Sequence, residues 1–198
     1  MPAQTEYGTS HISVVDAQGR AVAMTTTIEA GFGARRMVST DPSRPGGFLL
    51  NNQLTDFSLQ PTDAQGRPVA NRVEPGKRPR SSMSPTLVFD KTSGQLLMSA
   101  GSPGGAVIIH YTAKVLVGTL HWGLNVQQAV DLPNFAHLGG PVLLESQRWP
   151  DSTVQALQAR GHEVRLVDMP SGLQAIERTP TGWFGAADPR REGVVLGD

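Results

Sequence analysis

Residues 8–28 impose the first constraint on the fold. SHISVVD (10–16) alternates with a period of two, DAQGR is a turn, and AVAMTTTI (21–28) alternates back, which is the pattern of a half-buried β-hairpin. Thr9 stands at the mouth of the first strand. A threonine hydroxyl is too weakly acidic to attack a carbonyl unaided, so it needs a base. One economical base is the residue's own α-amino group, freed once the preceding peptide bond is cut, with a pKa of about 7.7–8.0. Gly8, immediately before it, adds little bulk and permits unusual backbone angles at that bond. By residue type alone, the same threonine is an ordinary β-former.

The 198 residues can bury well over half of their unfolded surface and build one domain around a real core. The 17 basic and 17 acidic side chains cancel, and no run of like charge stands out. There is thus no electrostatic case for nucleic acid or a membrane surface, and a small molecule is the expected ligand. The lack of cysteine excludes thiol catalysis, thiolate metal sites and disulfides, and leaves the compartment open. Met1–Gly8 has neither the basic start nor the apolar core of a signal peptide, and no stretch is long and apolar enough to span a bilayer. The histidines lack metal-ligand spacing, so no metal and no cofactor is expected. Ser10 and His11 invite a nucleophile-base reading, but adjacent strand residues point to opposite faces, so His11 is read as a structural strand histidine.

Further along, residues 31–47 form a loop leading to a short strand, FLLNN (48–52). Residues 59–80 are polar and contain no aromatic, a long surface loop. TLVFD (86–90) and QLLMSAG (95–101) make a second hairpin, and AVIIHYTAKVLVGTLHW (106–122), apolar on nearly every side, reads as a buried helix. A helix over GLNVQQAVDLP (123–133) and a strand over PVLLES (141–146) follow. Ser152 with Gln155 predicts a capping box for a helix over 154–160 that Gly161 closes. Strands over 163–169, 173–179 and 182–189 complete an α/β chain with hairpin-rich sheets, without repeats or a second domain.

Several short segments carry candidate chemistry. Thr25, Thr26 and Thr27 on the return strand are ordinary there by type. In LLNNQLTDFS, Gln53 and Asp56 place a carboxamide and a carboxylate three residues apart at a strand end, where a turn closed by an Asx-type bond is the plain alternative. KRPRSSMSP offers Ser81 and Ser82, whose hydroxyls and N–H groups either bind a carboxylate or line a loop. GSPGG alone is a turn, yet Gly104 and Gly105 ahead of an apolar helix present unhindered N–H groups at its positive end, as an oxyanion hole requires.

In this order and spacing, GTSHISVVD, NNQLTDFS, KRPRSSMSP and GSPGG resemble the small, C-terminal subunit of the γ-glutamyltransferase family, and the likeness runs from Thr9 to AADPRREG near the end. The resemblance implies an α/β (α+β) fold, the small-subunit portion of an N-terminal-nucleophile (Ntn) hydrolase αββα sandwich. It implies a precursor that cuts itself before Thr9, with residues 1–8 a pro-segment remnant and residues 9–198 the Ntn domain. Thr9 would carry a γ-glutamyl group as an ester and pass it to water or an amino acid. The resemblance assigns Thr27 to orienting the Thr9 amine, Gln53 and Asp56 to the substrate's α-amino group, Ser81 and Ser82 to its α-carboxylate, and Gly104 and Gly105 to the oxyanion.

Glu29 departs from the family pattern, which has an asparagine there. A carboxylate at this position attracts the substrate's α-ammonium or repels its α-carboxylate. Residues 59–80 match the lid of some members but lack the closing aromatic, so weaker water exclusion and competitive hydrolysis are expected. The family's large subunit, which supplies an arginine for the substrate carboxylate, is not in this sequence, and with Gly8 attached the Thr9 nitrogen is an amide rather than a base. The expected partner is the large subunit of the same precursor. Two alternatives stand beside this reading: an acylase of the cephalosporin type, raised by Glu29, and an inactive orphan subunit. The resemblance places the protein in the periplasm or outside the cell if it follows exported members, and in the cytoplasm if it does not.

Overall fold

The structure, a computed structural model, describes residues 8–39, 41, 43, 44 and 46–197; residues 1–7 of the expected pro-segment lie outside them. In chain order the strands and helices are β1 (Thr9–Val15), β2 (Ala21–Thr27), β3 (Met37–Val38), β4 (Phe48–Leu49), β5 (Thr86–Phe89), β6 (Leu96–Gly101), α1 (Ile108–Leu120), α2 (Val126–Asp131), β7 (Phe135–His137), β8 (Val142–Glu145), α3 (Asp151–Ala159), β9 (Val164–Val167), β10 (Gln174–Thr179) and β11 (Gly182–Ala187). The described residues form two compact units: one gathers Gly8 and Thr9 with Thr26–Ser82, the other Ser10–Thr25 with residues 83–197.

The expected first hairpin is present, β1 beside β2. Asp16 closes its turn by accepting from the N–H groups of Gln18 and Arg20, both at 2.9 Å, with Gly19 at φ 79°. The alternation is inverted relative to an ordinary sheet. The polar positions Thr9, His11, Ser13, Thr25 and Thr27 take the more buried face, while Ile12, Val14, Val22 and Met24 are exposed.

In the second unit an antiparallel sheet, ordered β11-β10-β6-β5, carries the core. Helices α1 and α2 pack on it, and Met98, Ala100, Tyr111, Val115, Val126, Ala129, Leu173, Ala175 and Ala186 close around one another. A smaller sheet joins β7 antiparallel to β8 and β8 parallel to β9, with α3 as the crossover. α1 is not buried all round as expected: it hides Ile108, Tyr111, Thr112, Val115 and Gly118 but leaves Ile109, Val117 and Leu120 exposed.

The expected capping box at Ser152 is absent. Pro150, fixed in an extended conformation, is the N-cap of α3, so Ser152 already lies inside the helix and Asp151 faces its positive end. The capping box belongs to α2, where Asn125 accepts from the Gln128 N–H at 2.9 Å and Gln128 accepts from the Asn125 N–H at 3.0 Å. Gly161, at φ 86°, follows α3 as expected. The expected strand FLLNN shrinks to β4: the Asn51 side chain accepts from the Gln53 N–H two residues on and turns the chain, while the Asn52 side chain accepts from the distant Ala30 N–H.

A buried polar hub knits the second unit. The Lys114 ammonium donates to Val130 O (3.0 Å), Leu132 O (2.6 Å) and Asn134 Oδ1 (2.8 Å), which satisfies its three N–H groups, although burial and the nearby Arg190 charge lower its pKa to about 7. Arg190 grips the Glu145 carboxylate at 2.6 and 2.8 Å and reaches Asp188 at 3.1 Å. Burial alone would raise Glu145, yet the bonds from Arg190 and the Asn134 N–H hold it below the usual range.

The core is tight where β6 meets the hairpin's polar face. A Cβ on Gly101 would lie 2.3 Å from the His11 ring, so Gly101→Ala is expected to cost about 1–3 kcal/mol by overpacking. A fall in the urea midpoint at unchanged slope would show it.

Candidate active site

The order of the return strand decides which threonine meets Thr9. Period two turns Thr26 outward and Thr25 and Thr27 inward. Thr25 lies one step deeper and bonds His11, whereas the Thr9 hydroxyl donates to Thr27 Oγ1 at 2.8 Å. The same Thr27 oxygen accepts from the Glu29 N–H, also at 2.8 Å. Thr9 is 5% exposed. The Ile28 N–H donates to the Gly8 carbonyl at 3.0 Å. A Cβ on residue 8 would sit 2.5 Å from the Glu29 carbonyl oxygen, so this position fits only glycine.

Glu29 itself takes φ 71°, a left-handed conformation uncommon for glutamate, and is buried. Its carboxylate accepts from Asn52 Nδ2, while Asn52 Oδ1 accepts from the Ala30 N–H at 3.0 Å. Gln53 and Asp56 open and close a single 3-10 turn, both half-buried. The Asp56 carboxyl is pushed above the ordinary range by burial, then by the charge of Glu29, with Arg80 pulling the other way. The Glu29 charge therefore reaches the Asp56 carboxyl. Asn71, in the 59–80 loop, donates to Asp56 O at 2.7 Å and accepts from the Arg80 N–H at 3.0 Å, tying the turn of Asp56 to the segment that leads into Ser81 and Ser82. Ser81 is exposed and Ser82 half-buried. Asn52 and Asn71 were not singled out from sequence; their side-chain bonds cross 22 and 15 residues, which no local pattern announces.

In the second unit, Gly104 (φ 139°) and Gly105 (φ 60°) lead into α1 through one 3-10 turn, Gly105–Val107, rather than directly as expected. No side chain caps this end, and a Cβ on Gly104 would lie 2.5 Å from the Tyr111 ring. His11 sits in a buried chain of polar groups: Nδ1 pairs with Thr25 Oγ1 at 2.8 Å, Nε2 with Ser13 Oγ at 3.2 Å, and Ser13 Oγ with Ser99 Oγ at 2.8 Å. Both ring nitrogens are engaged, and Ser10 lies on the exposed face, in keeping with a structural histidine.

Burial lowers the His11 pKa to about 4 from 6.5. The folded state thus binds fewer protons than the unfolded state between those values, so this contribution to stability is complete above pH 6.5 and is lost as pH falls toward 4. Thermal melts across this window should show the decline, and His11→Gln should flatten it. Among the described residues, no cluster of three or more His, Asp or Glu could hold a metal ion, and no helix is long and apolar enough to cross a membrane.

The family model for gamma-glutamyltranspeptidase matches residues 2–198. The chain belongs to the γ-glutamyltranspeptidase family. It is 38% identical over 188 residues to the glutathione hydrolase proenzyme of Escherichia coli, covering 92% of this chain and 31% of that protein. It is 36% identical over 191 residues to the acylase ACY 1 proenzyme of a Pseudomonas species, covering 95% and 32%. The solved γ-glutamyltranspeptidase of Pseudomonas nitroreducens, complexed with L-DON, matches with a TM-score of 0.79 at 31% identity, covering 95% of this chain and 98% of that one. The chain spans about a third of the curated proenzymes it matches. The expected α/β fold, the small-subunit portion of an Ntn hydrolase, is borne out.

Proposed function

We propose that this chain is the nucleophile-bearing subunit of an enzyme that moves γ-glutamyl groups from glutathione-like donors to water or an amino acid. The observation that carries the reading is the Thr9–Thr27–Glu29 arrangement behind a tightly packed glycine. In the precursor, Thr9 Oγ attacks the Gly8 carbonyl, whose oxygen already accepts from the Ile28 N–H; the Gly8–Thr9 C–N bond breaks to give an ester on Thr9 Oγ, and water hydrolyses that ester to separate the segment ending in Gly8 and leave a free Thr9 amine. The amine then takes the Thr9 hydroxyl proton as Oγ attacks the γ-carbonyl of the donor. It delivers that proton to the departing amine, and a second acceptor cleaves the ester. Thr27 orients the nucleophile, and the N–H groups of Gly104 and Gly105 are assigned to the oxyanion.

Glu29, Gln53 and Asp56 are assigned to the donor's α-ammonium, and Ser81 and Ser82 to its α-carboxylate. The acidic pair supports this choice, because burial and then the Glu29 charge raise Asp56, and a bound ammonium offsets both. The cephalosporin-type alternative keeps the chemistry and changes the acyl group, and the acidic pair, which suits a donor ammonium, favours the γ-glutamyl donor. The 59–80 loop offers no aromatic to close over the ester, which favours hydrolysis alongside transfer.

The partner is the large subunit of the same precursor. Support comes from the exposed outer faces of β1–β2 (Ile12, Val14, Val22, Met24) and of α1 (Ile109, Val117, Leu120), and from relatives about three times as long. The test is to assay γ-glutamyl and glutaryl anilides with the chain alone and with the large-subunit region expressed ahead of it. Turnover of the γ-glutamyl compound only in the longer protein is expected. Turnover of the glutaryl compound alone would establish the acylase, and a correctly assembled protein inert to both would establish the orphan subunit.

A further inference from the structure

Asn52 grips three consecutive residues of the neighbouring segment. Its N–H donates to Ile28 O at 3.2 Å, its Nδ2 to the Glu29 carboxylate, and its Oδ1 accepts from the Ala30 N–H at 3.0 Å. The Ala30 N–H can only donate, so it fixes which way the amide faces and aims Nδ2 at Glu29. A second contact, Nδ2 to Thr55 Oγ1 at 3.4 Å, and the bond from Thr55 Oγ1 to Asn52 O at 2.8 Å tie the same residue to the 3-10 turn of Gln53 and Asp56. One side chain thus joins both carriers of the acidic pair.

The need for such a joint follows from the backbone. Asparagine, typical at position 29 in the family, adopts a left-handed φ readily, whereas glutamate does so reluctantly and has a longer side chain free to swing. We infer that Asn52 is a positioning residue for donor recognition: it holds the Glu29 carboxylate at the ammonium end of the site and so lets the enzyme prefer donors with a free α-amino group. This rests on the assignment of Glu29 to the donor's ammonium. Asn52 itself touches no reacting atom.

The experiment compares kcat and KM on γ-glutamyl and glutaryl anilides in the full-length, processed enzyme and its variants. Asn52→Ala, and Asn52→Ser as a milder change that keeps a polar group, should raise KM for the γ-glutamyl compound about tenfold, with kcat and the glutaryl values within about twofold. Glu29→Gly, which suits the positive φ and leaves Asn52 nothing to hold, should lower the γ-glutamyl preference by itself, and adding Asn52→Ala to it should change little further. A purely structural Asn52 would instead cost the same in both backgrounds and on both substrates, and that result overturns the inference. If Glu29→Gly lowers the preference and neither Asn52 variant does, the inference falls while the site assignment stands. If Glu29→Gly leaves the preference intact, or the parent enzyme turns over no γ-glutamyl anilide, both fall.

Discussion

A precursor carrying Thr9→Ala is expected to remain whole by intact mass and to lose turnover by a factor on the order of 10⁴–10⁶, the range seen when a nucleophile that works as part of a unit is removed. The Thr9 hydroxyl is 2.8 Å from Thr27 Oγ1 and belongs to the residue next to the Gly8 carbonyl, and the proposed function gives this one oxygen both the cleavage and the transfer. Its removal should abolish both at once. Thr9→Ser keeps the oxygen and loses a methyl group, and should still be cut, though more slowly because serine holds χ1 less firmly. Cleavage of the alanine form at the Gly8–Thr9 bond would remove Thr9 from the processing step.

Asp56→Asn should lower kcat/KM on γ-glutamyl anilide by roughly ten- to a hundredfold, the loss of a charge-assisted bond worth about 1.5–3 kcal/mol. The glutaryl compound, which lacks the amine, should be nearly unaffected. Burial and the charge of Glu29 raise the Asp56 carboxyl, so its ionised form is gained later as pH rises than for a free aspartate. In the γ-glutamyl profile the Asp56 step should therefore lie above the ordinary carboxylate range but beneath the acid limb set by the Thr9 amine, and Asp56→Asn should remove that lower step while the amine limb stays. Equal losses on both substrates would take Asp56 out of the ammonium site.

The hairpins, α1, α2 and the closing strands were legible because period two and period 3.6 are written locally in the residues. Which face of a strand is buried was not. The hairpin's alternation was read correctly, but its polar side is the inner one and Ile12, Val14, Val22 and Met24 face outward, an inversion that sequence cannot register because a period of two fixes which residues share a face and not which face is covered. Thr27 could be told from its two neighbours only through family likeness, and strand geometry accounts for the choice physically. Asn52 and Asn71 escaped notice because an asparagine's type does not reveal whether its amide caps its own turn or reaches a distant segment. Ser152 misled for the related reason that a good capping sequence was overruled by the rigid Pro150 two residues earlier.

The hub around Arg190 has a consequence for the time course of synthesis. Glu145 leaves the ribosome 45 residues before the guanidinium that neutralises it, and the carbonyls of Val130 and Leu132 that Arg190 also satisfies emerge 60 and 58 residues before it. Strand β6, at the centre of the main sheet, likewise waits more than seventy residues for β10 to pair with it. Until Arg190 emerges, burying Glu145 would strand an unpaired charge, which costs about 3–5 kcal/mol. The second unit is therefore built to fold after translation of its last segment rather than progressively from the N-terminal side, and a ribosome stalled before residue 190 should display a nascent chain that proteases cut readily throughout residues 83–189.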